Sequence, residues 1–198
     1  MVMQPTNPYA ASKAAAEMFI MAYHKSDNLP YVITRGNNVY GPRQHPEKLI
    51  PRTLSRLLEG KKAQVHGSGS QTRTFVFVKD VARMFGAVVQ HPEDAKRATV
   101  LLLGCQDEER SVASVVADCC KALDLDPAER TEVVEDPRRF NDTRYVAGIS
   151  SFFVKHDAVP RVGWAEGLAL TAEVYRSCAL ADKALEACEK ATAANPGP

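Results

Sequence analysis

The stretch NPYAASKAAAEMFIMAYHKSDNLPYVITRGNNVYGP, residues 7–42, joins a helical pattern to a strand and a polar loop. Residues 7–26 predict a helix because Asn7 is a plausible N-cap and Pro8 takes the first helical position, where its missing N–H costs nothing. The β-rich run LPYVITRG, residues 29–36, predicts a buried strand bounded by a proline and a glycine. A helix followed directly by a buried strand indicates an α/β pattern.

The rest of the chain continues this alternation. Ser111 can cap a helix whose apolar residues repeat at helical spacing along one face. Further helices are predicted over about 49–59, 81–90 and 166–190, and strands over 64–66, 73–80, 99–104 and 131–135, with 137–163 irregular. Alternating strands and helices predict an α/β fold.

Composition excludes several classes of function. The chain has 198 residues, 45% hydrophobic and 25% charged, with a formal net charge of +1, which are ordinary globular values. Without a basic block we expect no nucleic-acid partner, and no apolar run approaches the roughly 20 residues of a membrane span. The five cysteines lack C-x-x-C spacing and the five histidines are scattered. We therefore expect a reduced, cytoplasmic chain without a metal site.

Tyr9 and Lys13 lie four positions apart and so share one face of the first predicted helix. A nearby ammonium stabilises a phenolate and lowers the pKa of a tyrosine from about 10 toward neutrality. Such a tyrosine can take a proton from a sugar hydroxyl while hydride leaves for a nicotinamide. One spacing of this kind also arises by chance, so the pair alone leaves catalysis and coincidence open.

Several sequence blocks, in order, resemble the extended short-chain dehydrogenase/reductase family, and within it the nucleotide-sugar 4,6-dehydratases. NPYAASKAAAEM is similar to the catalytic Tyr-x-x-x-Lys helix, and NNVYGPRQHPEKLIP to the NNxYGP loop with its PEKLIP continuation. VHGSGSQTRTFVFVKDVA, RRFNDTRY and VGWAEGLALTAEVY resemble three later blocks. The resemblance covers about residues 7–176. It implies the C-terminal part of a Rossmann-type parallel sheet with a smaller α/β substrate-binding domain.

The resemblance also implies a role for individual residues. Tyr9 would be the general base at the sugar 4-hydroxyl, Lys13 would hold the nicotinamide ribose of NAD, and Val39 would lie beside the nicotinamide. Arg73 would bind the substrate diphosphate, a role that suits a guanidinium. The full set implied to bind the nucleotide sugar is Asn38, Lys48, Leu49, Arg73, Arg138, Asn141 and Tyr145.

Each of these polar residues has a simpler interpretation. Asn38 could be a turn residue that tolerates an unusual backbone angle. Arg73 could be a strand-edge surface charge, and Arg138 a solvated arginine. Lys48, just before a helix, could be an ordinary surface lysine.

The sequence departs from the family pattern mainly by absence. It contains no Gly-x-x-Gly-x-x-Gly turn after a strand, because HGSGSQ precedes a strand and predicts a turn. The Thr-Asp-Glu segment expected before the tyrosine is also missing. We therefore expect the C-terminal portion of a longer enzyme, an incomplete gene model or a degenerate paralogue, with no turnover from these 198 residues alone.

This expectation has structural consequences. The strand at 31–35 should lack neighbours, and the apolar face of the first helix should be exposed, because a parallel sheet is normally covered by helices on both faces.

We assign residues 1–40 to a remnant of the NAD-binding domain, 41–176 mainly to the substrate-binding portion with interleaved Rossmann elements, and 177–198 to a fraying helical tail.

The favoured interpretation is an NAD-dependent 4,6-dehydratase that converts dTDP- or UDP-glucose to the 4-keto-6-deoxy sugar nucleotide. A related epimerase or decarboxylase is the first alternative. The second is a non-catalytic binding or interaction module that uses the remnant pocket or the helix face around Ala10, Ala14 and Met18. If a full-length protein exists, we expect a homodimer.

Overall fold

A computed structural model describes residues 4–97, 100–105, 109–138 and 142–194. Helices and strands alternate, as the sequence predicts. The helices are α1 Pro8–Asp27, α2 Leu49–Leu58, α3 Val78–Gln90, α4 Pro92–Arg97, α5 Val112–Ala122, α6 Pro127–Arg130, α7 Ser151–Lys155 and α8 Trp164–Ala194. The strands are β1 Ile33–Gly36, β2 Asn38–Tyr40, β3 Ala63–His66, β4 Thr72–Arg73, β5 Phe75–Phe77, β6 Val100–Leu103, β7 Arg110–Ser111, β8 Thr131–Val134 and β9 Arg144–Tyr145.

Strand pairing confirms the α/β class, because four pairs are parallel: β1 with β6, β2 with β5, β3 with β8, and β4 with β9. A fourth sheet has the order β7-β4-β9. The expectation that the strand at 31–35 would lack neighbours is wrong. Strand β1 pairs with β6 in the register Ile33↔Val100, although their sequences lie far apart.

Helix α1 begins as predicted. The Asn7 side chain accepts a hydrogen bond from the Ala10 amide at 2.8 Å, and Pro8 opens the helix. The helix ends at Asp27, and the capping residue Asn28 has a φ of 54°, the left-handed conformation typical of helix C-termini. None of its residues is buried, so the predicted exposure of this helix is confirmed.

Two hydrophobic cores lie on different elements. The larger is formed by α2, β3, α5 and α8, with Leu54, Val115 and Val116 fully buried. The smaller is formed by α3, β6 and α7, around Met84 and Phe153. The apolar face predicted for α5 therefore does face a core, and Ser111 caps that helix by accepting from the Ser114 amide at 3.0 Å.

Some predicted boundaries are wrong. The single strand predicted over 73–80 is divided between β4, which ends at Arg73, and β5, Phe75–Phe77. Val78 already begins α3, because buried Asp80 accepts the backbone amides of Arg161 and Val162 at 3.1 and 2.9 Å. The segment 137–163, predicted as irregular, contains β9 and α7. Helix α7 forms because Phe152 and Phe153 bury their rings in the smaller core.

The C-terminal helix is longer than predicted. Helix α8 runs from Trp164 to Ala194 and passes the boundary at 176/177 without a break. The domain division stays a prediction. Within the described ranges, no helix combines the length and apolarity that a membrane crossing requires.

Candidate active site

A cavity of about 430 Å³ lies beside the larger core, between α2 and β3. Four arginines and one histidine line it, against one glutamate, so its lining carries excess positive charge. Its full lining is Asn38, Glu47, Leu49, Arg52, Thr53, Arg56, Gln64, His66, Arg73, Phe75, Val112, Pro137 and Arg138. Such a cavity suits an anionic ligand with an apolar part.

Periodicity explains which side chains reach the cavity. On α2, Leu49, Arg52 and Arg56 recur at i, i+3 and i+7, which is one helical face. On β3, Gln64 and His66 alternate with buried residues and so share the opposite face of the strand. Burial of the remaining residues of both elements in the larger core therefore fixes the direction of the lining residues.

A polar network fixes part of the cavity wall. Arg52 Nη2 donates to Gln64 Oε1 at 3.2 Å, and Gln64 Nε2 donates to Glu132 Oε1 at 3.1 Å. Arg56 donates to the same Glu132 oxygen at 3.3 Å and to the Lys62 carbonyl at 2.9 Å. These bonds join α2, β3 and β8 and fix the orientation of the Gln64 amide.

Arg73 lies on β4, the middle strand of its sheet, so the interpretation as a strand-edge charge is wrong. Its guanidinium donates to the Thr72 carbonyl at 2.7 Å and to the Asp142 carbonyl at 2.8 Å. Burial lowers the pKa of Arg73 from its ordinary value; the negative charge of Asp142 opposes this shift, and the positive charge of Arg138 adds to it. Two neighbouring guanidiniums that disfavour each other's charge are stabilised by an anion between them.

A bidentate ion pair with Asp136 holds Arg138 at the cavity. Its Nε and Nη2 donate to the two Asp136 carboxylate oxygens at 2.8 and 3.0 Å. These bonds, with one from the Arg138 amide, lower the pKa of Asp136 to about 2. Arg138 is 55% exposed and also lines the cavity, so it is both solvated and within reach of a ligand.

Asn38 and His66 bring polar groups to the cavity. Asn38 lies in strand β2, so the interpretation as a turn residue is wrong. Its Nδ2 donates to the Thr74 carbonyl at 3.2 Å, which leaves the amide oxygen available. His66 Nδ1 is buried and has no hydrogen-bond partner among the described residues.

Tyr9 and Lys13 share a face of α1, as the spacing predicts, and Lys13 Nζ lies 5.6 Å from the centroid of the Tyr9 ring. Tyr9 is 72% exposed. Neither residue belongs to the cavity lining formed by the described residues. The structure therefore places the predicted base and the predicted diphosphate site on different elements.

Of the other predicted residues, some line the cavity and some do not. Leu49 lines the cavity. Lys48 does not; it is 57% exposed and pairs with Glu47 at 3.0 Å, which agrees with an ordinary surface lysine. Tyr145 is half exposed and donates to the Gly36 carbonyl at 3.3 Å, and Val39 is paired with Val76 in its strand. Asn141 lies outside the described residues.

The sequence did not predict the roles of Arg52, Arg56, Gln64 and His66, which line the cavity. The signal was available in the i, i+3/i+4, i+7 spacing from Leu49 and in the alternation along β3. In the part of the chain that the structure describes, no group of three or more metal-ligating side chains is assembled.

Comparisons with known proteins agree with this geometry. Residues 1–104 match the model of a protein family described as the NAD dependent epimerase/dehydratase family. A trifunctional UDP-glucose 4,6-dehydratase/UDP-4-keto-6-deoxy-D-glucose 3,5-epimerase/UDP-4-keto-L-rhamnose-reductase of Arabidopsis thaliana is 42% identical over 162 residues, 82% of this chain and 22% of the relative. The dTDP-D-glucose 4,6-dehydratase of Homo sapiens is 38% identical over 184 residues, 87% of this chain and 49% of that protein. The chain thus spans about half of the human relative or less than a quarter of the plant one.

Solved structures show the same fold. A dTDP-glucose 4,6-dehydratase from Streptomyces venezuelae, with NAD and TYD bound, matches with a TM-score of 0.80 and 33% identity, covering 89% of this chain and 53% of that one. A UDP-glucuronic acid 4-epimerase from Bacillus cereus, in complex with UDP-glucuronic acid and NAD, matches with a TM-score of 0.80 and 25% identity, covering 90% and 55%.

Proposed function

Because the chain belongs to the NAD-dependent epimerase/dehydratase family, we propose that it takes part in the 4,6-dehydration of UDP- or dTDP-glucose. The product is the 4-keto-6-deoxy sugar nucleotide. The similarity to 4,6-dehydratases from plants and vertebrates supports this substrate class. In this reaction, the residues of this chain would bind the substrate and carry out the first proton transfer.

The observation that carries the proposal is the arginine-lined cavity. Arg73 and Arg138 bring two guanidiniums to one wall, and such groups bind a diphosphate through charge-assisted hydrogen bonds. Phe75 and Val112 supply apolar surface, and Gln64 and His66 supply polar groups. The combination suits a ligand that joins a diphosphate to a planar base and a sugar.

The residues of α1 fit the nicotinamide-ribose end of NAD. Among the described residues, the Tyr9 hydroxyl and the Lys13 ammonium have no hydrogen-bond or ion-pair partner, and both side chains are exposed. Their donors are therefore available to ribose hydroxyls. In the turn HGSGSQ, the glycine at position 69 is required by packing, because a Cβ there would lie 2.5 Å from Val65 Cγ1.

In the proposed reaction, bound NAD supplies the acceptor for hydride from the sugar C4. Tyr9 accepts the proton of the 4-hydroxyl as its carbonyl forms. The ammonium of Lys13 stabilises the phenolate that accepts this proton, since opposite charges favour each other at short range. Asn38, whose amide nitrogen is held by the Thr74 carbonyl, presents its oxygen to the substrate.

Epimerisation at C4 is the second candidate. The epimerase structure matches with the same TM-score, 0.80, as the dehydratase structure. Both reactions begin with the same loss of hydride and proton at C4. The products distinguish them, because only dehydration gives a 6-methyl group.

We also propose a homodimer that pairs α1 with its copy. The support is the apolar surface that α1 leaves exposed, with Met18 55% and Phe19 67% exposed. Sedimentation equilibrium of the chain and of its Met18→Lys variant tests this. A monomer at every concentration would contradict it.

Calorimetric titrations with UDP-glucose, dTDP-glucose, glucose 1-phosphate and NAD⁺, each alone, test the proposed function. We expect one of the two nucleotide sugars to bind, and glucose 1-phosphate to bind much more weakly because it lacks the base and one phosphate. Proton NMR of mixtures with NAD⁺ would identify any product by its 6-methyl doublet.

Three outcomes are informative. Binding of a nucleotide sugar supports the substrate class whether or not turnover occurs. Conversion to a 4-epimer without a 6-methyl signal would favour the epimerase. Binding of none of the ligands by a folded chain would contradict the proposal and favour an interaction module.

A further inference from the structure

Glu17 extends the face of α1 that carries the catalytic pair. Tyr9, Lys13 and Glu17 follow one another at four-residue intervals, so they lie along one side of the helix. Lys13, in the middle, can reach the aromatic ring one turn before it or the carboxylate one turn after it. Only the first arrangement leaves the ammonium beside the tyrosine.

The structure shows the first arrangement. Lys13 Nζ lies 5.6 Å from the Tyr9 ring centroid, within the range of a cation–π contact. Among the described residues, Lys13 makes no ion pair with Glu17. The Glu17 carboxylate is instead taken by Arg35, whose Nε and Nη2 donate to its two oxygens at 2.8 and 2.6 Å.

This pair holds Glu17 in its charged form. The hydrogen bonds from Arg35 lower the pKa of Glu17, and those bonds in turn raise the pKa of Arg35. Glu17 is only 17% exposed in its side chain, so its carboxylate is shielded from bulk water. If Arg35 were absent, the nearest ammonium on the same face would be that of Lys13.

Arg35 is fixed by the sheet, not by α1. It lies in β1, opposite Leu102 of β6, and the neighbouring Gly36 carbonyl accepts a hydrogen bond from Tyr145 at 3.3 Å. No residue of α1 is fully buried, and its partly buried residues Ala10, Ala14, Glu17 and Ile20 share one face of the helix. The bidentate pair of hydrogen bonds from Arg35 joins this face of the helix to the sheet.

We propose that Arg35 is a positioning residue for the Tyr9–Lys13 pair. It holds the Glu17 carboxylate away from Lys13, so the Lys13 ammonium stays at the tyrosine. The importance of this role for catalysis rests on the proposed function. The contact itself is measurable without substrate or turnover.

The test is NMR of the 198-residue chain with the Lys13 methylenes and the Tyr9 ring assigned. The wild-type chain should give a nuclear Overhauser contact between the Lys13 ε-methylene and the Tyr9 ring. Arg35→Gln should lose most of that contact at neutral pH, because ionised Glu17 then attracts Lys13. In this variant the contact should return as pH falls below the ordinary Glu17 pKa of 4.5, where the carboxyl is neutral.

Further variants separate positioning from folding. Glu17→Gln, alone or combined with Arg35→Gln, removes the competing carboxylate and should keep the contact. Arg35→Lys should restore much of it, because the positive charge still holds Glu17. Arg161→Gln, which breaks an exposed ion pair with Asp157, is the matched control and should leave the contact unchanged.

Two results would overturn the proposal: an unchanged Lys13–Tyr9 contact in folded Arg35→Gln, or loss of the contact in the double variant as well. If Arg35→Gln does not fold, Glu17→Gln decides the matter, since a lost contact there contradicts the competing-carboxylate role. Failure to bind nucleotide sugars would contradict the proposed function and leave these results unaffected.

Discussion

Helix α2, which forms one wall of the cavity, buries five of its ten residues, whereas α1, which carries Tyr9 and Lys13, buries none. The cavity side chains are therefore positioned by the packing of a core. The Tyr9–Lys13 pair is positioned by an N-cap, by the Glu17–Arg35 ion pair and by contacts at the end of the helix, where His24 Nδ1 lies 2.8 Å from the Leu29 carbonyl oxygen. Substitutions in these two regions should consequently have very different effects.

The largest contrast is expected in global stability. Leu54 of α2 is fully buried, so Leu54→Ala should lower the free energy of unfolding by about 2–5 kcal/mol through lost burial and a cavity. Phe19 of α1 is 67% exposed, and Phe19→Ala should change the free energy of unfolding by no more than about 0.5 kcal/mol. Urea denaturation followed by circular dichroism measures both. Equal losses would show that α1 is packed as firmly as α2.

The next largest effect concerns binding. Arg73→Gln removes a charged donor from the cavity and should weaken nucleotide-sugar binding by about 1.5–3 kcal/mol, the usual range for a hydrogen bond to a charged group. Arg161→Gln, which lies outside the cavity lining, should bind like the unchanged chain. Isothermal titration calorimetry makes the comparison. Equal affinities for the two variants would remove Arg73 from the binding site.

Two helix caps provide a smaller and well-matched comparison. Asn7 caps α1 and Ser111 caps α5, each through one side-chain hydrogen bond to a backbone amide. Replacement of either by alanine should cost about 1 kcal/mol. In Asn7→Ala the loss should appear as faster hydrogen exchange in the first turn of α1 alone. In Ser111→Ala it should appear in global unfolding, because α5 packs in the larger core.

The smallest expected effect is a pH dependence of stability that arises from the ion pair between Arg138 and Asp136. The bonds from Arg138 lower the pKa of Asp136 from its ordinary 3.8 to about 2. A depressed carboxyl pKa stabilises the folded state above the unfolded value, and this stabilisation is lost as pH falls from about 4 to about 2. Carbon-13 NMR should therefore show Asp136 titrating near 2, and nearer 3.8 in Arg138→Gln. A titration unchanged by that substitution would contradict the ion pair.

The sequence was sufficient for elements set by local signals. The N-caps at Asn7 and Ser111 and the apolar face of α5 were predicted because each depends on residues within a few positions. The start of α3 was not, since Asp80 accepts amides more than eighty positions later in the chain. Helix α7 was missed because burial of Phe153 in the smaller core sustains it.

In the candidate site too, contacts between residues distant in sequence were not predicted. Arg73, Arg138, Asn38 and Leu49 were predicted from the family resemblance and line the cavity. The polar network was not predicted, because Gln64 meets Glu132 only through the pairing of β3 with β8. The Glu17–Arg35 pair likewise joins a helix to a strand 18 positions away.

The central claim is that the arginine-lined cavity binds the diphosphate of a nucleotide sugar. A crystal structure of the chain with UDP-glucose or dTDP-glucose, whichever binds, tests it most directly. We predict that the diphosphate lies within hydrogen-bond distance of the Arg73 guanidinium, with the base toward Gln64 and His66. A nucleotide bound outside this cavity, with Arg73 making no contact to it, would contradict the claim.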